Sequence, residues 1–234
     1  MKIAGLQKMT LLDFPGKVAC TVFLDGCNFR CPFCHNTPLL DGKAAPVMTQ
    51  EELFVFLEKR QGILDGVCVT GGEPTLQKEL PAFLKKIKDM GYAVKLDTNG
   101  YRPEVLRSVV EQGLVDYVAM DIKNSPDRYN STTGINVDLK KIEESIFFLV
   151  SGKINYEFRT TVAEPLHDEQ SIRDMACWLK NTTGGKLVNA LYLQAFAERD
   201  TVCFAGLSAP SAETLEGYKN LLVHAAKTID LRGV

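Results

Sequence analysis

The sequence predicts an α/β fold of parallel strands, on three observations. From about Lys17 onward, nearly continuous apolar runs alternate with stretches of helical period. Gly, Asp or Asn bounds the runs, and no linker or low-complexity break interrupts the alternation over 234 residues. Strands apolar on both faces and separated by helices imply right-handed βαβ crossovers with helices on the outside. Period alone fits a doubly wound open sheet and a partial barrel equally, and both place the functional surface at the carboxyl ends of the strands. One domain covering residues 1–234 is expected.

The strand candidates, in order, are "KVACTVFL" (17–24), "GVCVT" (66–70), "AVKLD" (93–97), "YVAMDIK" (117–123), "INYEFRTTV" (154–162) and "ALYLQAF" (190–196). Between and after them the helical period predicts helices over 50–59, 78–90, 103–111, 138–150, 169–180 and 212–228. Several open on cap-like residues, such as Thr49 before "QEEL" and Ser211 before "AETLE".

A hydrophobic content of 45% excludes general disorder. Lys plus Arg number 27 against 29 for Asp plus Glu, so no global field would draw nucleic acid or an anionic membrane. The opening "MKIAGLQKMTLLDFPGK" lacks an apolar h-region, and no apolar run approaches the roughly 20 residues that span a bilayer. A cytoplasmic protein is therefore expected. Seven cysteines is an odd number, and clustered cysteines in a reducing compartment are more often metal ligands or catalytic thiols than a disulfide framework.

Polar and metal-ligating residues collect at the strand ends. The first strand runs into "GCNFRCPFCHN" (26–36), the second into "TGGEP" (70–74), the third into "DTNG" (97–100) and the fourth into "MDIK" (120–123), while Arg159 and Gln194 lie towards the ends of the last two. Cys27, Cys31 and Cys34 fall within eight positions with no fourth cysteine nearby. A structural zinc site takes four ligands, and the fourth candidate would be His35, whose adjacency to Cys34 would strain both side chains onto one ion. A four-iron cluster normally takes four cysteines, so three leave one iron open to a substrate or cofactor. Phe29, Pro32 and Phe33 lie between the thiols, either shielding a cluster from water or packing an ordinary loop.

The other motifs admit plainer readings. "GGEP" serves as a tight strand-to-helix turn or lets the backbone approach a ligand closely, and "DTNG" is a turn signal or a set of polar ligand contacts. Asp121 and Lys123 are two apart, so on a strand they share a face, either as a self-satisfied ion pair or against a charged ligand. Cys20, Cys68 and Cys177 sit in apolar contexts and read as core residues. Cys203 follows the last strand without an assigned role.

CxxxCxxC followed by a strand ending in GGE resembles the radical S-adenosylmethionine (SAM) superfamily. The resemblance implies a partial (β/α)6 barrel of parallel strands with the site at the strand C-terminal ends, a 4Fe-4S cluster on Cys27, Cys31 and Cys34, and SAM chelating the open iron. It implies cofactor contacts from Gly71, Gly72, Glu73, Asp97, Thr98, Asn99 and Arg159, and catalytic roles for Asp121 and Lys123 facing the cofactor or target peptide. Within the superfamily, "AGLQKMTLLDFPGKVACTVFLDGCNFRCPFCHN" is similar to activating enzymes of glycyl-radical proteins, with "DFPGK" and "CHN" the most discriminating pieces. The similarity is dense over residues 3–75 and then thins to the strand-end motifs.

Pyruvate formate-lyase activators carry a histidine in a "PFH"-like context near the end of the last strand, where this chain has Ala197 after Phe196. That departure favours the anaerobic ribonucleoside-triphosphate reductase branch. The implied partner is then a large glycyl-radical protein. No eight-cysteine ferredoxin insertion follows the first motif, so electrons would come from an external low-potential donor such as flavodoxin or ferredoxin. A pyruvate formate-lyase-like target, a small-molecule radical SAM enzyme such as a deazaguanine synthase, and a non-enzymatic iron–sulfur or zinc module are the alternatives.

Overall fold

The structure is a computed structural model that describes residues 1–202 and 204–233. The chain condenses into two compact units. The first comprises Met1–Asn28 and Pro38–Ala119, and the second comprises Phe29–Thr37 and the chain from Met120 onward.

In the first unit, β1 (Ile3–Thr10) pairs antiparallel with β2 (Ala19–Leu24). Parallel pairing then joins β2 to β3 (Gly66–Gly71) and β3 to β4 (Ala93–Thr98). Val22, Leu24, Val67, Val69 and Leu96 are fully buried, as parallel strands covered on both faces require. Three helices follow their strands: α1 (Gln50–Glu58), α2 (Leu80–Asp89) and α3 (Pro103–Glu111). α1 starts at Thr49 because a capping box forms there. Thr49 Oγ1 accepts from Glu52 N (3.1 Å) while Glu52 Oε2 accepts from Thr49 N (2.8 Å), an arrangement worth about 1 kcal/mol. α2 buries Leu80, Phe83, Leu84 and Ile87, the i, i+3, i+4, i+7 stripe of an amphipathic helix.

The chain leaves the first unit within β5 (Tyr117–Asp121). The second unit contains α4 (Pro126–Thr133), α5 (Leu139–Val150), β6 (Asn155–Val162), α6 (Glu169–Thr182), β7 (Val188–Ala195), α7 (Ala212–Leu221) and β8 (Ala226–Arg232). β6, β7 and β8 pair in parallel. Ile142, Ile146 and Leu149 of α5 and Ile172, Met175 and Leu179 of α6 are fully buried, each worth about 1.5–3 kcal/mol relative to exposure.

The α/β class with parallel strands holds, and the six expected strands are β2 to β7. Among the strands and α-helices of the described residues, β1, α4 and β8 were not expected from the sequence. The helix expected over 212–228 stops at Leu221, and its tail is β8. The strand expected over 117–123 ends at Asp121, so Lys123 lies beyond it. Cys20 and Cys68 are buried, but Cys177 is exposed, because the buried stripe of α6 runs through Ile172, Met175 and Leu179 and passes it by. Cys203 lies outside the described residues.

Candidate functional site

The first unit gathers Cys27, Gly71, Gly72, Glu73, Asp97, Thr98 and Asn99 at the ends of β2, β3 and β4. Gly71 and Gly72 are needed there by the chain's own backbone. A Cβ on Gly71 would lie 2.2 Å from the nitrogen and oxygen of Leu24, and one on Gly72 would lie 2.1 Å from the carbonyl oxygen of Gly26. At this approach Gly72 N donates to Leu24 O (2.9 Å) and Glu73 N donates to Gly26 O (2.8 Å). Cys27 N in turn donates to Leu40 O (3.1 Å), so the Cys27 backbone is fastened on both sides.

Glu73 is 1% exposed, and its carboxylate is saturated by protein donors. Oε1 accepts from the Thr75 hydroxyl, from Thr75 N (3.0 Å) and from Thr98 Oγ1 (2.8 Å), while Oε2 accepts from Asn99 N (2.7 Å). Burial raises its pKa against the pull of those donors. Glu73 therefore ties the turn after β3 to the end of β4. Asn99 Nδ2 extends the network to Asn28 Oδ1 (2.8 Å), the neighbour of Cys27.

Asp97 Oδ1 is held by Lys95, and Cys68 Sγ lies 3.6 Å from the same oxygen. Lys95 is 1% exposed and was not singled out in the sequence. The sequence carries the signal, because Lys95 and Asp97 are two apart on a strand and share a face.

The second unit gathers Cys31, Cys34, Asp121, Lys123 and Arg159. Asp121 accepts from Lys123 Nζ and from Arg159 Nε, both at 2.9 Å. Burial alone would raise the Asp121 pKa, but Arg159 and then Lys123 hold it well below the ordinary carboxylate range. Burial would lower that of Lys123, but Asp121 and then Cys31 keep it a cation. The Cys31 thiol is pushed up to about 11 by burial, with Lys123 opposing. Phe33, which lies between the two cysteines in sequence, is buried, with Lys123 Nζ 5.8 Å from its ring centre and the His167 ring 6.4 Å away. His167 was not anticipated. Its Nε2 pairs with Lys123 O at 2.8 Å, and burial lowers its pKa, keeping the ring neutral.

His35 does not turn back on Cys34. Its ring stacks on Phe196, with centres 5.9 Å apart, and Nε2 pairs with Ala197 O at 2.6 Å. Thr37 Oγ1 donates to Thr201 O, so the segment after Cys34 is strapped to the segment after β7.

The donor chemistry suits an iron–sulfur cluster. None of Cys27, Cys31 and Cys34 is joined in a disulfide. Lys123 supplies positive charge beside Cys31, and Asn28 Nδ2, next to Cys27, is buried without a hydrogen-bond partner among the described residues, a donor suited to sulfide. Among the described residues no group of three or more His, Cys, Asp or Glu side chains stands in a metal-holding arrangement. The fit therefore rests on donor type and surroundings. No helix among the described residues is long and apolar enough to cross a membrane.

Residues 21–175 match the model of the Radical SAM superfamily. A protein of Methanocaldococcus jannaschii with the provisional name of glycyl-radical enzyme activating enzyme is 34% identical over 185 residues, covering 76% of this chain and 75% of that protein. The pyruvate formate-lyase-activating enzyme of Clostridium pasteurianum is 30% identical over 201 residues, 81% of each chain. Among solved structures, a domain of pyruvate-formate lyase-activating enzyme from Bacteroides vulgatus superposes with a TM-score of 0.57 at 22% identity, covering 70% of this chain and 98% of that one. This last likeness shows the fold.

Proposed function

The chain belongs to the radical SAM superfamily, whose members use a 4Fe-4S cluster and SAM, and on that premise we propose that it activates a partner enzyme by installing a glycyl radical. The observation that carries this reading is 34% identity across three-quarters of both chains with the Methanocaldococcus jannaschii protein.

In this reading Cys27, Cys31 and Cys34 hold the cluster, and Gly71, Gly72, Glu73, Asp97, Thr98, Asn99 and Arg159 build the SAM site. The glycines and Glu73 act by positioning: Gly71 and Gly72 admit the Leu24 and Gly26 backbone, and Glu73 locks the end of β4. Asp97, Thr98 and Asn99 are thereby oriented for the polar groups of SAM. When bound, a cluster reduced by the external donor would supply one electron to the sulfonium of SAM, and cleavage of its C5′–S bond to methionine would supply the deoxyadenosyl radical for hydrogen-atom removal from a glycine Cα. Asp121 keeps Lys123 charged and aligns it and Arg159 for the cofactor carboxylate or the target peptide, and Lys123 favours the thiolate of Cys31.

The partner we favour is an anaerobic ribonucleoside-triphosphate reductase, with flavodoxin or ferredoxin as electron donor. A pyruvate formate-lyase-like partner is the second reading, favoured by the 81% coverage of the Clostridium pasteurianum enzyme and opposed by Ala197 in place of the histidine. The test is anaerobic reconstitution followed by incubation with SAM, reductant and each candidate partner in turn. A glycine-centred EPR signal on the reductase supports the first reading, and one on the lyase alone supports the second. Deoxyadenosine release without a signal on either partner would favour a small-molecule substrate.

A further inference from the structure

We propose that Thr161 and Gln194 form the element that reads the backbone of a neutral polypeptide segment at the strand ends of the second unit. This inference rests on the activating-enzyme reading and specifies its substrate chemistry. The register sets Arg159 beside Tyr192 and Thr161 beside Gln194, then Tyr192 beside Asp230 and Gln194 beside Arg232. Because side chains alternate along a strand, Glu157, Arg159 and Thr161 of β6 share one face with Tyr192 and Gln194 of β7 and with Asp230 and Arg232 of β8. The opposite face carries Phe158, Val162, Leu191 and Leu193, all fully buried. The chain thus presents a polar, partly exposed face through strands whose other side is core.

The ionic groups of this polar face and of the adjoining Asp121–Lys123 segment neutralise one another. Asp121 binds Lys123 and Arg159. Arg232 Nη1 and Nη2 each donate to Glu157 at 3.1 Å, and its guanidinium lies 3.6 Å from the centre of the Tyr192 ring. Asp121, Glu157 and Asp230 stand against Lys123, Arg159 and Arg232, so the set sums to zero. An anionic substrate such as a nucleoside triphosphate would meet no surplus of positive charge, and each of the three cations already lies against a carboxylate or an aromatic ring.

Thr161 and Gln194 differ from their neighbours. They are uncharged, partly exposed and the last row of this face before the strand ends, and neither side chain has a hydrogen-bond partner among the described residues. A glutamine amide offers two N–H donors and one carbonyl, and a threonine hydroxyl both donates and accepts. Together they match the N–H and C=O groups of a peptide, which are also uncharged. Arg232 reaches back across β7 to Glu157, and this leaves the Thr161–Gln194 row to the substrate.

The test uses the reconstituted full chain, SAM, a chemical reductant and an acetylated, amidated, uncharged heptapeptide with dideuterated glycine at its centre. The readouts are deuterium in deoxyadenosine and the half-saturating concentrations of peptide and of SAM. The T161V/Q194L double variant is expected to raise the half-saturating peptide concentration about tenfold, the effect of about one hydrogen bond, with the half-saturating SAM concentration as the internal reference that does not move. Gln194→Asn, which keeps the amide, is expected to fall between wild type and Q194L. Equal half-saturation by peptide in wild type and the double variant would overturn the proposal. So would GTP that stimulates deoxyadenosine formation at lower concentration than the peptide. Absence of deuterium transfer in wild type that cleaves SAM would instead strike the activating-enzyme reading itself.

Discussion

Replacing Gly72 by alanine isolates the close approach on which the Cys27 loop depends. The new Cβ would stand 2.1 Å from Gly26 O, 2.6 Å from Gly26 C and 3.1 Å from Cys27 N. All three are backbone atoms, so no side chain can rotate away. Reaching ordinary van der Waals separation, which begins near 3.4 Å, requires the two strands' ends to part by about 1.3 Å or more. That shift lengthens the Gly72 N to Leu24 O bond (2.9 Å) and the Glu73 N to Gly26 O bond (2.8 Å) past hydrogen-bonding range. Two net backbone hydrogen bonds are worth about 2 kcal/mol, and disturbing the buried Glu73 network adds roughly another 1 kcal/mol. A loss of about 3 kcal/mol is expected, or roughly 6–12 °C in Tm for a chain of this size. Gly91→Ala is the control. Gly91 has φ +89° and nothing within 4 Å of a Cβ, so it bears conformational strain alone, at about 1–2 kcal/mol. Urea unfolding followed by circular dichroism measures both variants. If Gly72→Ala costs no more than Gly91→Ala, the contact between the β2 and β3 ends does not hold the loop, and the positioning role given to the glycine pair is wrong.

Cys31→Ala should reduce bound iron after anaerobic reconstitution from about four per chain towards zero with an unchanged far-ultraviolet spectrum, whereas iron retained at the wild-type level would remove Cys31 from the ligand set. Lys95→Met should destabilise by about 3 kcal/mol, because it takes a buried cation from Asp97. The double variant with Asp97→Asn should recover part of that loss, and a double variant no more stable than the single one would deny the coupling. Burial holds the His167 pKa below its unfolded value, so the folded ring stays neutral while the unfolded chain takes up a proton below about pH 6.5. The stability His167 contributes is therefore complete above that pH and lost as pH falls towards the folded value, by up to about 1.4 kcal/mol per pH unit. The slope of unfolding free energy between pH 7.5 and 5.5 should flatten in His167→Gln, and an equal slope would rule the ring out as its source.

The apolar runs made β2 to β7 legible, because strands buried on both faces have no polar positions to blur them. β1 escaped for the opposite reason. In "IAGLQKMT" only the first and last residues are buried, and Gly5 leaves room for the Phe23 ring where a strand former would be expected. α4 reads as a loop because "DRYNSTT" is rich in residues that compete for backbone hydrogen bonds. It forms because Pro126 opens it, the Thr132 and Thr133 hydroxyls bond back to carbonyls four residues earlier, and Gly134 closes it at φ +69°. β8 was hidden in the helical period that runs on from α7. At the site, the residue types at the strand ends were readable, but their partners were not. That Glu73 serves Thr75, Thr98 and Asn99, and that Lys95 serves Asp97, depends on which loops meet, a property of the folded chain that spacing along the sequence does not encode.

His35 and Thr37 carry a practical consequence for engineering. Residues 196–201 include Ala197, which makes them an obvious stretch to exchange between relatives in order to redirect target choice. Here the backbone carbonyls of Ala197 and Thr201 are tied to the side chains of His35 and Thr37, just after the third cysteine, by two hydrogen bonds, and the His35 ring stacks on Phe196. A transplanted loop of different length would tug on that cysteine, so such chimaeras should be built with residues 35–37 exchanged together with the loop.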